Sequence, residues 1–278
     1  MSYSTTNTQI LNLTNKNSSS GKNNILRYNL RLPLELKDYQ VALSFLQLYY
    51  SWFNISTLYN NNSLSYIWND FNIFSVNLPN SMMTIEDISG FIQQTLFNNG
   101  HYLLDDTGSP VYYISLVSNT VYYRVSLVCN KIPGVLPTGW SNPNGILLSG
   151  TTPRLVIPST GIRTTLGFDA GTYPDNPQSS DFSINGQNTP FISNVIAVNV
   201  NCNLVQSSLF NSSLQTIYTF SPNSGFGTLL NLEPKNLLFY DCITGSFPYI
   251  ELVLTDQDNS ELNIQDPTMA VSLIFRKK

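Results

Sequence analysis

The most constraining feature of the sequence is a run of β-branched and aromatic residues over positions 111–128, interrupted by the polar pair Ser118-Asn119. Residues of these types favour strands, and two alternating halves with a short polar break predict an antiparallel hairpin. A hairpin this apolar needs a second layer to cover it, which predicts a β-sandwich. In its second half, the residues expected on one face are Val121, Tyr123, Val125 and Leu127.

Further strand-like runs follow along the chain, and turn residues separate them. They number about ten, with no alternation of strands and helices of the kind that builds a parallel sheet. The predicted fold class is therefore all-β: a single jelly-roll antiparallel β-sandwich, eight strands in two Greek keys, with long loops and one short helix. Outside 111–128, the main runs cover 25–34, 41–58, 64–68, 71–78, 154–157, 195–205, 216–220, 227–232, 237–242, 249–255 and 269–275.

The one clear helix pattern covers residues 85–98. Thr84 is a good N-cap, with Asp87 three residues later, and Asn99-Gly100 supplies a stop. The narrow apolar stripe predicts packing across an edge or open end of the sandwich. Its members are Ile85, Ile88, Phe91, Ile92 and Leu96.

Two regions are expected from composition. Residues 1–24 consist mainly of Ser, Thr, Asn and Lys with few apolar side chains, which indicates a flexible basic N-terminal arm. Residues 25–278 are long for an average domain but within range for one β-sandwich, so they are expected to form a single jelly-roll domain.

The chain is polar without being charged. Only 11% of its residues are charged, whereas 34 are Asn. A neutral, hydrogen-bonding surface suits large contacts with other protein chains. Enrichment of Asn, Ile and Tyr through an AT-rich coding sequence is the alternative explanation.

The charges are unevenly distributed along the sequence. Between Asp38 and Phe275 there are five basic and 16 acidic residues, while both ends are basic. Basic ends could contact nucleic acid, an anionic membrane or a neighbouring copy of the acidic body, or they could be solvated tails. The candidate contact residues are Lys16, Lys22, Arg27, Arg276, Lys277 and Lys278.

No catalytic, cofactor-binding or metal-binding set emerges, so the chain is not expected to be an enzyme. Asp106-Thr-Gly-Ser109 matches the aspartic-protease string but lacks a second copy, and a turn is the better interpretation. The calcium-like start at Asp256 has Glu261 where Gly is required, which favours a hairpin turn. His101 is the single histidine and is expected to be a satisfied structural residue.

The three cysteines, Cys129, Cys202 and Cys242, each lie in an apolar run and are expected to be buried without a disulfide framework. No apolar run is long enough for a membrane span, and the N-terminus lacks the apolar core of a signal peptide. The expectation is a protein made and kept in a reducing, intracellular compartment.

Short motifs occur in an order that resembles a known family. Arg154-Leu-Val-Ile-Pro158 precedes Leu166-Gly-Phe-Asp-Ala-Gly-Thr-Tyr-Pro174. The other segments are Asn60-Asn-Asn-Ser-Leu-Ser-Tyr-Ile-Trp68, Gly100-His-Tyr-Leu103, Leu136-Pro-Thr-Gly-Trp140, Ile217-Tyr-Thr-Phe-Ser-Pro222 and Ile264-Gln-Asp-Pro267. Over roughly residues 40–275 the chain resembles the penton (vertex, minor capsid) proteins of virophages and Polinton (Maverick)-type viruses.

That resemblance implies a structural protein of the virion: a single jelly roll that forms homopentamers at icosahedral vertices, beside hexamers or trimers of a double-jelly-roll major capsid protein. Assembly inside the host cell, no cofactor and no small-molecule substrate follow from the same resemblance. The first strand of such a jelly roll begins, and the last ends, at the inward end. The basic termini are then expected to face the particle interior, contacting neighbouring capsid proteins or the genome.

Two alternatives stay open. The first is a glycan-binding or attachment β-sandwich of a viral particle, in which Trp52, Trp68 and Trp140 would stack on sugars, although such aromatics are more often core or interface residues. The second is a protease built on Asp106, which needs a second carboxylate that the sequence does not supply.

Overall fold

The computed structural model describes residues 8–68, 72–205 and 215–278. The described chain is mostly β-strand with two α-helices, and it divides into two compact units. Unit 1 combines Met1–Trp52 with Val195–Lys278, and unit 2 is Phe53–Asn194. Among the described residues, no helix is long and apolar enough to cross a membrane.

Unit 1 contains nine strands, six of them from the last third of the chain. They are β1 (Thr8–Thr14), β2 (Ile25–Leu36), β3 (Tyr39–Tyr49), β13 (Val198–Cys202), β14 (Thr216–Phe220), β15 (Leu229–Leu232), β16 (Tyr240–Asp241), β17 (Gly245–Asp256) and β18 (Met269–Lys277). Unit 2 contains the rest: β4 (Ser63–Ile67), β5 (Ile73–Asn77), α1 (Ile85–Asn98), β6 (Leu103–Leu104), β7 (Pro110–Val111), β8 (Ile114–Asn119), β9 (Arg124–Cys129), β10 (Arg154–Ile157), α2 (Gly161–Leu166), β11 (Gly171–Tyr173) and β12 (Phe182–Asn185).

The strand order of unit 1 is that of a jelly roll. One antiparallel sheet has the order β1-β18-β3-β15, with the short β16 also paired to β3, and the other has the order β14-β13-β17-β2. Without the short β16, the jelly roll has eight main strands, which can be numbered one to eight in chain order: β1, β2, β3, β13, β14, β15, β17 and β18. In this numbering the first sheet holds strands one, eight, three and six. The second holds strands five, four, seven and two, which completes two interlocked Greek keys. The predicted jelly roll is confirmed.

Alternating burial gives each sheet of unit 1 one apolar face. In β18 the buried residues are Met269, Val271, Leu273 and Phe275, and the residues between them are half-buried. In β17 Ile250, Leu252 and Leu254 alternate in the same way. A buried side chain of this size contributes about 1.5–3 kcal/mol relative to an exposed one. The two sheets contact each other through β14 and β3.

The N-terminal region differs from the expected flexible arm. Residues 8–14 form β1, which pairs with β18 along its whole length, from Thr8 opposite Arg276 to Thr14 opposite Ala270. Leu13 is almost completely buried in this pairing. The polar composition of residues 1–24 hid a strand because most β1 side chains face solvent and its partner lies at the other end of the sequence.

The single domain expected over residues 25–278 is also divided differently. The chain leaves the jelly roll after β3 and returns to it at β13, so unit 2 is an insertion between the third and fourth jelly-roll strands. Unit 2 has its own apolar core, which includes Tyr66, Ile88, Leu116 and Leu127. Sequence periodicity did not reveal this boundary because strands of both units carry the same alternating pattern.

The hairpin predicted over 111–128 is present in unit 2, as β8 paired with β9. Its turn lies later than the predicted break at Ser118-Asn119: Asn119 still pairs with Arg124, and residues 120–123 make the turn. Val125 and Leu127 are buried as expected. Val121 and Tyr123, which the alternation placed on the same face, are instead 84% and 70% exposed at the tip.

The helix prediction is confirmed at both ends. Thr84 Oγ1 accepts a hydrogen bond from Asp87 N, while the Asp87 carboxylate accepts one from Thr84 N, a complete capping box. At the C-terminus, His101 N donates to Leu96 O and Gly100 N to Phe97 O, which is a Schellman motif. Within unit 2 the helix packs on β8 and β5, whereas packing across an edge or open end of the sandwich stays a prediction.

Buried asparagines hold the loops of unit 2 together. Asn54 donates to the carbonyls of Met83 and Ile192 and accepts from Met83 N, all at 2.8 Å. Asn61 donates to Asn54 O and Thr165 Oγ1 and accepts from Ser56 N. Because buried amides must be paired to avoid a large desolvation penalty, this network fixes the loop conformations.

We expect deletion of residues 1–14 to destabilise the protein strongly, whereas deletion of residues 1–7 leaves β1 in place. The longer deletion exposes the edge of β18 and removes the buried Leu13, so unfolding should become easier by roughly 3 kcal/mol or more, with visible aggregation. Urea unfolding of both variants measures this difference. Equal stability of the two would contradict the assignment of β1 to the sandwich.

Candidate functional site

The six basic residues singled out in the sequence lie at two different ends of the jelly roll. β18 begins at Met269 and ends at Lys277, about 27 Å apart for a strand of this length. Lys16 lies beside Thr268 and Met269, at the start of β18, and Arg276 to Lys278 lie at its end. Lys16 and the segment from Arg276 to Lys278 therefore lie at opposite ends of β18, and an inward-facing role for the six residues stays a prediction.

Two of the other candidates, Lys22 and Arg27, are paired with carboxylates of the same unit. Lys22 Nζ is 2.8 Å from Glu261 Oε1, and Arg27 Nη1 is 3.5 Å from Glu251 Oε2. The Arg27 guanidinium also lies over the Tyr249 ring, 4.0 Å from its centroid. Exposed pairs of this kind contribute at most about 1 kcal/mol each, so they position the side chains more than they stabilise the fold.

At the end of β18, Arg276 and Lys278 are also held by the sheet. Arg276 donates to Gln40 Oε1 through Nε and Nη2, at 3.0 and 2.8 Å, and lies 3.6 Å from the centroid of the Phe239 ring. Lys278 Nζ is 2.8 Å from Asp241 Oδ2. The pKa of the Asp241 carboxyl is lowered by its hydrogen bonds to Lys278 and Gln40.

The charge separation along the sequence largely disappears in the fold. Unit 1 contains nine basic and nine acidic residues, and unit 2 contains four and eight. Within unit 1, basic residues near both ends of the chain form ion pairs with acidic residues from positions 241–261. The folded jelly roll therefore does not present a strongly basic pole made from all six candidates.

The two acidic motifs are turns. Asp105 Oδ1 accepts hydrogen bonds from the Thr107 hydroxyl and from the backbone N–H groups of Thr107 and Ser109. These bonds lower the pKa of the Asp105 carboxyl, and the bond from the Thr107 hydroxyl has the largest effect. Asp256 Oδ1 accepts from Asp258 N and Ser260 N in the hairpin that follows β17. Among the residues that the structure describes, no three His, Cys, Asp or Glu side chains cluster as metal ligands.

The single histidine lies in an aromatic cluster of unit 2. His101 stacks on Trp68, with ring centroids 4.6 Å apart, and meets Phe74 edge-on. Its Nδ1 is 2.8 Å from Tyr66 Oη, which also accepts a hydrogen bond from Asn99 Nδ2 at 2.7 Å. Burial raises the pKa of Tyr66 to about 12.

The tryptophans that were weighed as sugar-stacking residues belong to the cores. Trp52 and Trp68 are buried, and Trp140 is half-buried against the core of unit 2. Cys129 and Cys202 are buried as expected, and burial raises the pKa of each thiol to about 12. Cys242 is half-buried, with its pKa raised to about 11 by burial.

Among the described residues, the two most exposed aromatic side chains, Tyr122 and Tyr123, lie instead at the β8–β9 tip. Val121, Tyr122 and Tyr123 are 84%, 68% and 70% exposed. Tyr123 has a φ of 51°, in the left-handed region, which costs a residue with a Cβ about 1–2 kcal/mol. Sequence alternation missed this site because it predicted the strand to continue through residues 121–123. Within the Val-Tyr-Tyr segment itself, no Gly or Asn marks the turn.

The first two comparisons with known proteins are negative: no protein-family model and no curated protein matches the chain. Two solved structures are similar over nearly its full length. The mavirus penton protein, in its selenomethionine-labelled crystal structure, gives a TM-score of 0.48 at 10% identity, covering 98% of this chain and 99% of that one. The cryo-electron microscopy structure of the Sputnik virophage gives 0.40 at 15% identity, with 98% of both chains covered.

The first of these structures is of a penton protein, and the second is of a virophage. With TM-scores below 0.5, these likenesses do not by themselves assign a function.

We expect Tyr66→Phe to destabilise unit 2. The change removes the hydroxyl between Asn99 Nδ2 and His101 Nδ1 and should lower the free energy of unfolding by about 1–3 kcal/mol. Thermal unfolding measures it, with Tyr122→Phe as the control, because the exposed Tyr122 should change stability by less than about 0.5 kcal/mol. Equal melting temperatures for the two variants would show that the Tyr66 hydroxyl is dispensable.

Proposed function

We propose that the chain is a structural protein of a virus particle, a penton subunit that forms a ring of five at icosahedral vertices. The observation that carries this proposal is the jelly roll of unit 1, with both described ends of the chain in adjacent strands of one sheet. Jelly rolls of eight strands are a standard architecture of viral capsid proteins. The order of the family-like motifs in the sequence supports the same assignment.

The jelly roll also occurs in lectins and in cupins, so the fold has to be combined with surface chemistry. Among residues 8–68, 72–205 and 215–278, no three His, Cys, Asp or Glu side chains cluster as metal ligands. The proposed role is structural and does not require catalysis, a cofactor or a small-molecule substrate.

The outward face of the first sheet supports contacts with other subunits. Neighbouring strands are linked there by uncharged side chains: Ser272 Oγ donates to Asn12 Oδ1 at 2.8 Å, and Gln47 Nε2 donates to Asn231 Oδ1 at 2.7 Å. Side chains that already hold one another lose less conformational entropy when a partner covers them. A surface of this kind suits the polar, hydrogen-bonded contacts between capsid subunits.

In this proposal the pentamer is a closed ring with head-to-tail contacts, in which one surface of each copy meets a different surface of the next. Its neighbours in the virion would be hexamers or trimers of a double-jelly-roll major capsid protein. The protein would be located at the capsid vertex after assembly inside the host cell.

The basic C-terminus has a more limited proposed role than the sequence suggested. Residues Arg276 to Lys278 lie where β1 begins and β18 ends, which is the inward end in the proposed orientation. Lys277 is exposed, while Arg276 and Lys278 also contact the sheet. We propose that this end contacts internal components or the genome, and that Lys16, Lys22 and Arg27 do not take part.

The proposed ring predicts the native mass of the purified full-length protein. We expect a species of about five times the chain mass, and a five-fold ring in negative-stain images. Light scattering after size exclusion measures the mass. A stable dimer or trimer would contradict the proposal. If the protein is a monomer alone and still fails to form rings with its major capsid protein, the proposal is also wrong.

For the C-terminus, we expect a Lys277→Gln, Lys278→Gln variant to bind nucleic acid less tightly, with a weaker dependence on salt. Two fewer phosphate contacts should reduce the slope of log affinity against log salt concentration by about 1.8 on duplex DNA. Lys16→Gln, Lys22→Gln is the matched control at the other end of β18. Equal slopes in all three proteins would exclude the C-terminus as a nucleic-acid contact.

A further inference from the structure

The β8–β9 tip is an exposed aromatic projection that the jelly-roll assignment does not explain. Its three consecutive residues, Val121, Tyr122 and Tyr123, bury little surface in unit 2. Exposed single apolar residues are common, but a run of three at a hairpin turn, two of them tyrosines, is typical of a contact site. The strands below the tip are well ordered by pairing, since every residue from Ile114 to Asn119 has a partner in β9.

The backbone of Tyr123 gives independent support. Its left-handed φ of 51° is a conformation that Gly or Asn adopts readily in hairpin turns. A bulky residue is strained there, and this ring is too exposed to offset the strain by packing. Tyr123 therefore does not stabilise the turn, which indicates that its side chain is present to bind a ligand.

A small pocket lies directly beside this ring. It has a volume of about 190 Å³, below the roughly 300–1,000 Å³ typical of sites for drug-sized ligands, which suits a single ring. Its walls combine apolar side chains with hydroxyl and amide groups. The lining residues that matter for recognition are Ile85, Ser118, Asn119, Tyr123, Arg124 and Ile192.

Arg124 supplies the pocket's positive charge. Its Nη1 donates to Thr189 Oγ1 at 2.8 Å, which orients the guanidinium and leaves other donors of the fork available. Within the described parts of the chain, no carboxylate forms a salt bridge with Arg124. A ligand carboxylate could bind two of its N–H groups side by side.

We propose that the tip and its pocket bind a saccharide that carries a carboxylate. The apolar face of a sugar ring stacks on tyrosine, and its acid group pairs with Arg124. An anionic membrane fits less well than a single carboxylate, because an extended anionic surface would also meet the acidic residues of unit 2, which has eight against four basic residues. This site does not depend on the oligomeric state of the protein.

The test uses the full-length protein with defined oligosaccharides. The probes are 3′-sialyllactose and a hyaluronan tetrasaccharide, which carry carboxylates, and lactose, which does not. Binding is followed by saturation-transfer NMR and titration calorimetry. The variants are Tyr123→Asn, which removes the ring and suits the left-handed turn, and Arg124→Gln, which removes the charge. Val135→Ala is the control, since Val135 is an equally exposed apolar residue elsewhere in unit 2.

We expect at least one acidic probe to bind and lactose to bind about tenfold more weakly or not at all. Tyr123→Asn and Arg124→Gln should each weaken binding about tenfold, and Val135→Ala should not. Tyr123→Asn should also raise the melting temperature by about 2–4 °C through relief of the strained turn.

Four results would overturn the proposal. The first is no binding of either acidic probe. The second is binding that Tyr123→Asn and Arg124→Gln leave unchanged. The third is a change of native mass in Tyr123→Asn with no saccharide bound, which would make the tip a contact between copies. A lower melting temperature in Tyr123→Asn would show that the ring serves folding and would remove the main argument for a binding role.

Discussion

The pairing of β18 with both β1 and β3 is the interaction on which the jelly roll depends. β18 is the last strand of the chain, and it lies between a strand from the first 14 residues and a strand that ends at Tyr49. The first sheet cannot close until both ends of the sequence have met. Contacts so distant in sequence make a slow-folding topology, because loop entropy is lost before the strands gain their pairing. The same closure explains why basic residues near both ends find acidic partners in unit 1.

Uncharged amide and hydroxyl side chains link neighbouring strands through hydrogen bonds, a role that ion pairs often have in other proteins. Asn199 bridges β13 to its neighbours, accepting from Thr219 Oγ1 at 2.8 Å and donating to Asp256 O at 3.1 Å. Asn201 links Thr216 and Thr255 in the same way. Neutral pairs avoid the desolvation penalty of ion pairs and are insensitive to salt. The high Asn content therefore has a structural use, whatever the base composition of the gene contributes.

The sequence predicted the elements whose signals are local. The helix Ile85–Asn98 follows from caps and an apolar stripe within a few residues of one another, and the β8–β9 hairpin follows from alternation. Prediction from sequence failed where a strand pairs with a strand far away in the sequence, and where a turn lacks the residues that usually form turns. Strand β1 has only three apolar residues, and its partner lies about 260 positions away. At the tip, alternation continued through Tyr123, and only the backbone shows that the chain turns there.

Because unit 2 is inserted between two jelly-roll strands, the residues that pair the sheets and the residues of exposed turns lie in different units. Strands such as β18 are buried on one face and paired on both edges, so nearly every change there alters closure of the sheet. Unit 2 has its own core, built around α1 and the β8–β9 hairpin, and it can support exposed turns without altering the ladders of the sandwich. A strained residue is tolerated at such a turn because the paired strands beneath it fix the backbone. Specific recognition is therefore expected to develop in the inserted unit, while the jelly roll keeps the residues that assembly requires.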